Sequence, residues 1–211
     1  MKPGKRFSRR IQAAGVLAVL VTASCGAAQA QTARPRPASA DVHFVTGMIA
    51  HHAQALEMAR LVPDRAGRAD LHLMAERITV SQRDEIALMQ RWLRSHGQDT
   101  VPWQGGAAHH AHHVPASADS AGGGMPGMAT PEEMARLAAS RGAEFDRLFL
   151  ELMIRHHQGA LVMVAELFAT PGGGEASDVF GLASEVDADQ RMEIDRMRTM
   201  LDGPPSGPRP R

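Results

Sequence analysis

The sequence predicts an all-α protein, a four-helix bundle made of two repeated helical hairpins, with a long disordered His/Gly-rich linker between them. Three observations carry this expectation. Tyr is absent and Phe and Trp are few, whereas Ala, Leu, Met and Arg are plentiful, a composition that favours helices over strands. Residues 41–58 are written twice: Asp41-x-x-Phe44-x-x-x-Met48-Ile49-x-His51-His52-x-x-Ala55-Leu56-x-Met58 returns as Asp146-x-x-Phe149-x-x-x-Met153-Ile154-x-His156-His157-x-x-Ala160-Leu161-x-Met163, nine of eighteen positions being identical at an offset of 105. A second string, Gln82-Arg83-x-Glu85-Ile86-x-x-Met89, recurs as Gln190-Arg191-x-Glu193-Ile194-x-x-Met197 at an offset of 108. One hairpin buries little apolar surface alone, so the two are expected to close into one bundle.

The elements follow in order. After a Pro/Ala/Arg-rich flexible leader over residues 31–39, Ser39 is placed to cap a helix running to about residue 62. Pro63-Asp64 breaks it, with Asp64 as the cap of a long helix over 65–96, where Leu71, Met74, Ile78, Ile86, Met89 and Leu93 keep largely helical spacing. Gly97 ends that helix and completes a first hairpin over 40–97. Residues 98–129 are rich in Gly and Pro without periodicity, which marks a linker. Thr130-Pro131-Glu132-Glu133 restarts order as a capping box with proline in the first turn. Gly142 interrupts the helix that follows, Pro171 and the three glycines after it make a turn, and Ser177 caps a last helix. The second hairpin therefore spans 130–202, and residues 203–211 form a Pro-rich tail.

The formal net charge is zero, which argues against a nucleic-acid partner on bulk electrostatics. The N-terminus is expected to direct export. Lys2, Lys5, Arg6, Arg9 and Arg10 precede a short apolar run over 11–22, and Ala28-Gln29-Ala30 offers small residues for signal-peptide cleavage near Ala30. The run is too short to span a membrane, so the mature form is expected to have no transmembrane span and to be periplasmic or secreted. Without residues 1–30 the chain carries 18 basic and 23 acidic residues and is mildly acidic. Cys25, the single cysteine, sits in a poor lipobox, so a lipoprotein is the lesser alternative. After cleavage no thiolate remains, and soft-metal chemistry falls to Met and His.

On a helical wheel at about 100° per residue, Phe44, Met48, Ala55 and Ala59 share one stripe. His51 and Met58 lie at one edge, and His52 at the other, roughly 100° away. The spacing predicts that His51 and His52 face different neighbours and do not bind the same ion; His51 would pair with Met48 or Met58. The second copy repeats the arrangement with His156, Met153, Met163 and His157. Imidazole and thioether together suit a soft ion such as copper, although methionines also serve as core filler. Gln82, Glu85 and Met89 share a helix face, as do Gln190, Glu193 and Met197. These faces offer accessory ligands in Glu85, Met89, Glu193 and Met197, or ion pairs with Arg83 and Arg191. The linker adds His109, His110, His112, His113, Met125 and Met128 as a further shallow collecting site.

The doubled string resembles domain-of-unknown-function family 305, a family similar to ferritin-like four-helix proteins, found in exported bacterial proteins, with some members that look like copper-binding proteins. Carried over position by position, the resemblance implies His51, His52, Met48, Met58, His156, His157, Met153 and Met163 as metal ligands. It does not account for the His-rich insertion. The reading is thus an exported metal-binding protein, with a copper ion as cargo or another divalent transition metal in its place, used for buffering, sequestration or delivery. Metal ions, copper-handling partner proteins and a homo-oligomer are the partners considered. A metal-dependent oxidoreductase of ferritin-like type is the alternative, though bundles of that kind place Glu three residues before His, and no histidine here has one. A metal-free envelope interaction protein is the third, and no catalytic motif is recognisable.

Overall fold

Four long helices carry the fold: α1 (Ser39–Ala59), α3 (Ala69–Ser95), α5 (Gly142–Ala169) and α6 (Ser177–Asp202). Two short ones, α2 (Val62–Arg65) and α4 (Pro131–Ala139), lead into α3 and α5. The computed structural model describes residues 37–100 and 125–203. Among the described residues there is no strand, only an isolated bridge between Ala66 and Gly142, and no helix is long and apolar enough to cross a membrane. Residues 1–30, expected to act as a signal peptide, and His109, His110, His112 and His113 lie outside the described residues.

Most helix boundaries fall where turn chemistry puts them, and the exceptions are instructive. Thr130 and Glu133 form the expected reciprocal capping box, with Pro131 in the first turn of α4. Gly142 takes φ +58, a left-handed conformation that glycine adopts at little cost, and so separates α4 from α5. Pro63-Asp64 does not cap α3. It sits inside α2, because proline is tolerated in a first helical turn, and α3 begins after Arg68 without a side-chain cap. Ser39 and Ser177 are likewise the first helical residues rather than the caps, which are Ala38 and Ala176. The segment 125–129, expected within the linker, packs on the bundle instead.

Each repeat folds as a hairpin, α1 against α3 and α5 against α6, and the hairpins meet where α1 lies along α5. α1 and α5 run antiparallel, so the start of one copy's motif lies beside the end of the other's. Two apolar clusters result. One holds Met48, Met163 and Met89 with Phe44 and Ile49. The other holds Met58, Met153 and Met197 with Phe145 and Phe149. Each fully buried side chain of this size contributes roughly 1.5–3 kcal/mol.

The first residue of the repeated string closes the other hairpin's turn. Asp41 Oδ1 accepts the Gly174 N–H at 2.7 Å, and Asp146 Oδ1 accepts the Gly67 N–H at 2.9 Å. Both carboxylates are buried, and burial, the largest influence on Asp146, raises its pKa. α3 and α6 are antiparallel and tied at both ends. Trp92 Nε1 donates to Asp178 Oδ2 at 2.9 Å, and Arg68 Nη1 donates to the Met200 carbonyl at 2.6 Å. Between the ties they part, leaving a groove of about 470 Å³.

Candidate metal centre

Consecutive helical residues point about 100° apart, so each His-His pair turns its rings towards different helices. His51 faces α5 and His52 faces α3; His156 faces α1 and His157 faces α6. The four rings form one layer across the bundle. Ring centroids are 6.5 Å apart for His52 and His51, 3.8 Å for His51 and His156, and 6.1 Å for His156 and His157. All four side chains are fully buried.

Every Nε2 in the layer has a partner that can only accept. His51 Nε2 donates to the Pro126 carbonyl at 3.0 Å, and His156 Nε2 donates to the His51 carbonyl at 3.0 Å. His52 Nε2 bonds Glu85 Oε2, and His157 Nε2 donates to Glu193 Oε2 at 2.7 Å. These acceptors place the proton of each neutral ring on Nε2. In a neutral ring so held Nδ1 is a lone-pair acceptor, and all four Nδ1 atoms are buried with no hydrogen-bond partner among the described residues. Burying a polar atom unpaired costs on the order of 1–3 kcal/mol, a cost this layer carries four times. Burial, followed by the neighbouring His52, pushes His51 down to about 3. Burial and then His51 hold His156 well below the ordinary histidine range. Both rings stay neutral at physiological pH, the form that binds metals.

The two flanks of the layer differ. Over His51 lies the segment 125–129. Ala129 exchanges two hydrogen bonds with the Gln54 side chain, at 2.9 and 2.8 Å. Gly127, at φ +75, crosses Gly159 so closely that a Cβ on Gly159 would lie 2.0 Å from the Pro126 oxygen. Arg155, beside His156, forks onto Glu133 and holds α4 against α5. On the α3/α6 flank the layer meets carboxylates instead. Glu85 and Glu193 hold His52 and His157, and Asp189 lies near both, its pKa raised by burial first and then by Glu85 and Glu193. Gln82 and Gln190, one turn before the two glutamates on the inward faces, are buried; among the described residues both amide atoms of Gln82 and Oε1 of Gln190 lack partners.

The expected separation of His51 from His52 agrees with this geometry, and so does a carboxylate beside each outer histidine. Glu193 meets His157 rather than Arg191, whose guanidinium pairs with Asp187 one turn away. The methionines are split. Met48 and Met163 share one apolar cluster with Met89, whereas Met58 and Met153 share the other with Met197. Met48 and Met58 thus lie on opposite sides of the histidine layer, because the antiparallel fit of α1 on α5 pairs each with a methionine of the other copy. Met125 joins the Met48 cluster, and its Sδ and the Met163 methyl meet over Gly47, where a Cβ would stand 3.8 and 3.3 Å from them. Met128 is half-buried in the same segment. Among the described residues, no three His, Cys, Asp or Glu side chains are grouped to hold a metal ion. Periodicity missed Gln54, Asp189, Gly159 and the Pro126 carbonyl; Asp41 and Asp146 were signalled only by their recurrence.

Residues 41–201 match the sequence profile of the domain of unknown function DUF305. The chain belongs to the DUF305 family. A DUF305 fragment from Deinococcus radiodurans is 32% identical with a TM-score of 0.64, over 79% of this chain and 98% of that one. A DUF305 protein from Streptomyces coelicolor, assigned as secreted, is 28% identical with a TM-score of 0.63, over 77% of this chain and 90% of the other. CopM in its Cu(I)-bound form is 26% identical with a TM-score of 0.56, over 75% of this chain and 93% of its own. CopM has also been solved with Cu(II) and with silver. No curated protein matches this DUF305 chain in sequence.

Proposed function

We propose that this DUF305 protein is exported, to the periplasm or beyond the cell, and there binds copper to buffer, sequester or deliver it. The observation that carries the reading is the set of four buried Nδ1 atoms, all without partners among the described residues while every Nε2 is engaged. A carbonyl or carboxylate on the far ring nitrogen is what holds a metal-binding imidazole in one tautomer and orientation. The donor chemistry fits copper: His51, His52, His156 and His157 supply imidazole, and Met48, Met58, Met153 and Met163 supply thioether. Glu85 and Glu193 orient His52 and His157. Copper- and silver-bound CopM supports the choice of ion, with another divalent transition metal as the lesser choice. The histidines at 109, 110, 112 and 113 would collect ions outside the bundle, whereas Met125 and Met128, first grouped with them, lie against it. Export rests on the signal-like residues 1–30, with cleavage near Ala30. A copper-handling partner or a second copy would receive the cargo. The reading is of a carrier rather than an enzyme, since no catalytic motif is recognisable.

The test is a copper titration of the purified protein with His109, His110, His112 and His113 changed to Gln, so that only the bundle is read. Binding well above that of a free His-containing peptide, lost when His51, His52, His156 and His157 are also changed to Gln, is the expected result. Peptide-level binding with those four intact would end the proposal. A ferritin-like oxidase is the second reading, favoured by the His52–Glu85 and His157–Glu193 pairs assembled between helices. Oxygen consumption by the metal-loaded protein would select it.

A further inference from the structure

The histidine layer is buried, so an ion must reach it through one flank or the other. On the α1/α5 flank the route over His51 is closed by packed backbone. The 125–129 segment touches Gly159, bonds Gln54 at both amide atoms and occupies His51 Nε2. On the α3/α6 flank the helices part, and the groove between them opens to solvent. Its rim is apolar, with Leu73, Val80 and Met192 each more than half exposed. Ser81, Asp189 and Glu193 line its deeper part. Glu193 is the residue bonded to His157, so the groove runs from solvent to a carboxylate already in contact with the layer.

The charge there is concentrated by a break in the repeat. At the offset of 108 that relates Gln82 to Gln190 and Glu85 to Glu193, Ser81 corresponds to Asp189. Asp189 lies close enough to Glu85 and Glu193 to be affected by both. Three carboxylates are thereby held near one another, two of them bonded to a histidine of the layer. The inward amide of Gln82, fully buried and unpartnered on both atoms, lies one turn from Glu85. Glu76, Arg77 and Arg196 also line the groove, so Asp189 tips the balance of its charged groups to net negative, and a cleft of net negative charge raises the local concentration of cations and their rate of entry.

We propose that the α3/α6 groove is the entrance by which copper cations reach the histidine layer, with Asp189 as the steering charge. This rests on the metal-binding reading above and goes beyond it by naming the route. The test uses aqueous Cu(II) and stopped-flow quenching of Trp92 fluorescence, in a background carrying Cys25→Ser, Trp103→Phe and Gln at the four linker histidines. Asp189→Asn is expected to slow uptake about threefold or more at low salt, and the difference should shrink as ionic strength rises. The variant removes repulsion between carboxylates, so its melting temperature should equal or exceed that of the parent. A bulky maleimide on Val80→Cys should slow uptake and release to a chelator by the same factor; the same label on Arg136→Cys, on α4, should change neither. Equal uptake rates in the parent, Asp189→Asn and labelled Val80→Cys proteins would overturn the route while leaving the metal site standing. Binding that survives loss of all four core histidines would overturn both.

Discussion

The two copies of the repeat build the same layer and then depart from one another at a few positions. Each contributes two histidines, a glutamate on the outer ring and a buried glutamine whose Oε1 has no partner among the described residues. In the first copy Gln54 follows the histidines, and its amide holds Ala129; at the corresponding place the second copy has Gly159, over which Pro126 and Gly127 cross. Ser81 of the first copy stands opposite Asp189 of the second. Duplication thus explains why four imidazoles meet, while the difference at 54/159 lets backbone close one flank and that at 81/189 adds a carboxylate to the groove on the other.

The most damaging way to break this asymmetry is to restore a side chain at Gly159. Gly159→Ala places Cβ against the Pro126 oxygen, so the segment must lift and His51 loses its acceptor. A loss of about 2–4 kcal/mol is expected by chemical denaturation, whereas Gly181→Ala, with open space around its Cβ, should cost nothing or stabilise α6 by about 1 kcal/mol. An unaltered Gly159→Ala stability would remove the close packing from the account.

Acid should act next. The folded-state pKa of His51, about 3, lies below the unfolded value of 6.5, and His156 is lowered too. For a depressed histidine, unfolding takes up protons below pH 6.5, so stability is fully present above that pH and is lost as pH falls towards 3. From His51 alone the loss by pH 4 is on the order of 3 kcal/mol. Denaturation midpoints measured between pH 7 and 4 should show it, and His51→Gln should flatten the slope. A copper-saturated sample should fall more steeply, since protons compete for the same nitrogens.

Glu85→Gln and Glu193→Gln sharpen the likeness between copies rather than the difference. Each leaves one outer histidine with a weaker partner, so each should cost about 1–3 kcal/mol in the metal-free protein and weaken copper binding about 10- to 100-fold. Isothermal titration of both variants checks this, and a large effect from only one of them would deny the equivalence of the copies. Gln54→Ala should cost about 1–2 kcal/mol, the value of its two bonds to Ala129.

The smallest effect belongs to the exposed edge of the closed flank. Bonds from Arg155 and then from the Thr130 N–H lower Glu133 to about 2. Its contribution is present above the unfolded carboxylate range and is lost as pH falls from about 4.5 towards 2. Both partners are partly solvated, which limits Glu133→Gln to below about 1 kcal/mol, a difference that paired thermal melts at pH 7 can resolve.

Periodicity and turn chemistry made the helices legible. Thr130, Pro131, Glu133 and Gly142 act within a few residues of chain, so their geometry can be read locally. Asp64, Ser39 and Ser177 misled because cap preference is weak, and helices here start one or more residues away without any side-chain cap. In the site, the division of His51 from His52 follows from helical geometry alone. The division of Met48 from Met58 does not, because it depends on α1 lying antiparallel to α5.

By itself the sequence determined the helices, their duplication and the stock of imidazole, thioether and carboxylate donors, since all of these depend on residue type and short-range spacing. Tertiary structure alone decided that the two His-His pairs form one layer, that every Nε2 is engaged and every Nδ1 is not, and that Asp189 stands by a groove. Those facts join residues 33 to 105 positions apart along the chain, and only the packing of helix on helix and of one hairpin on the other sets which of them meet.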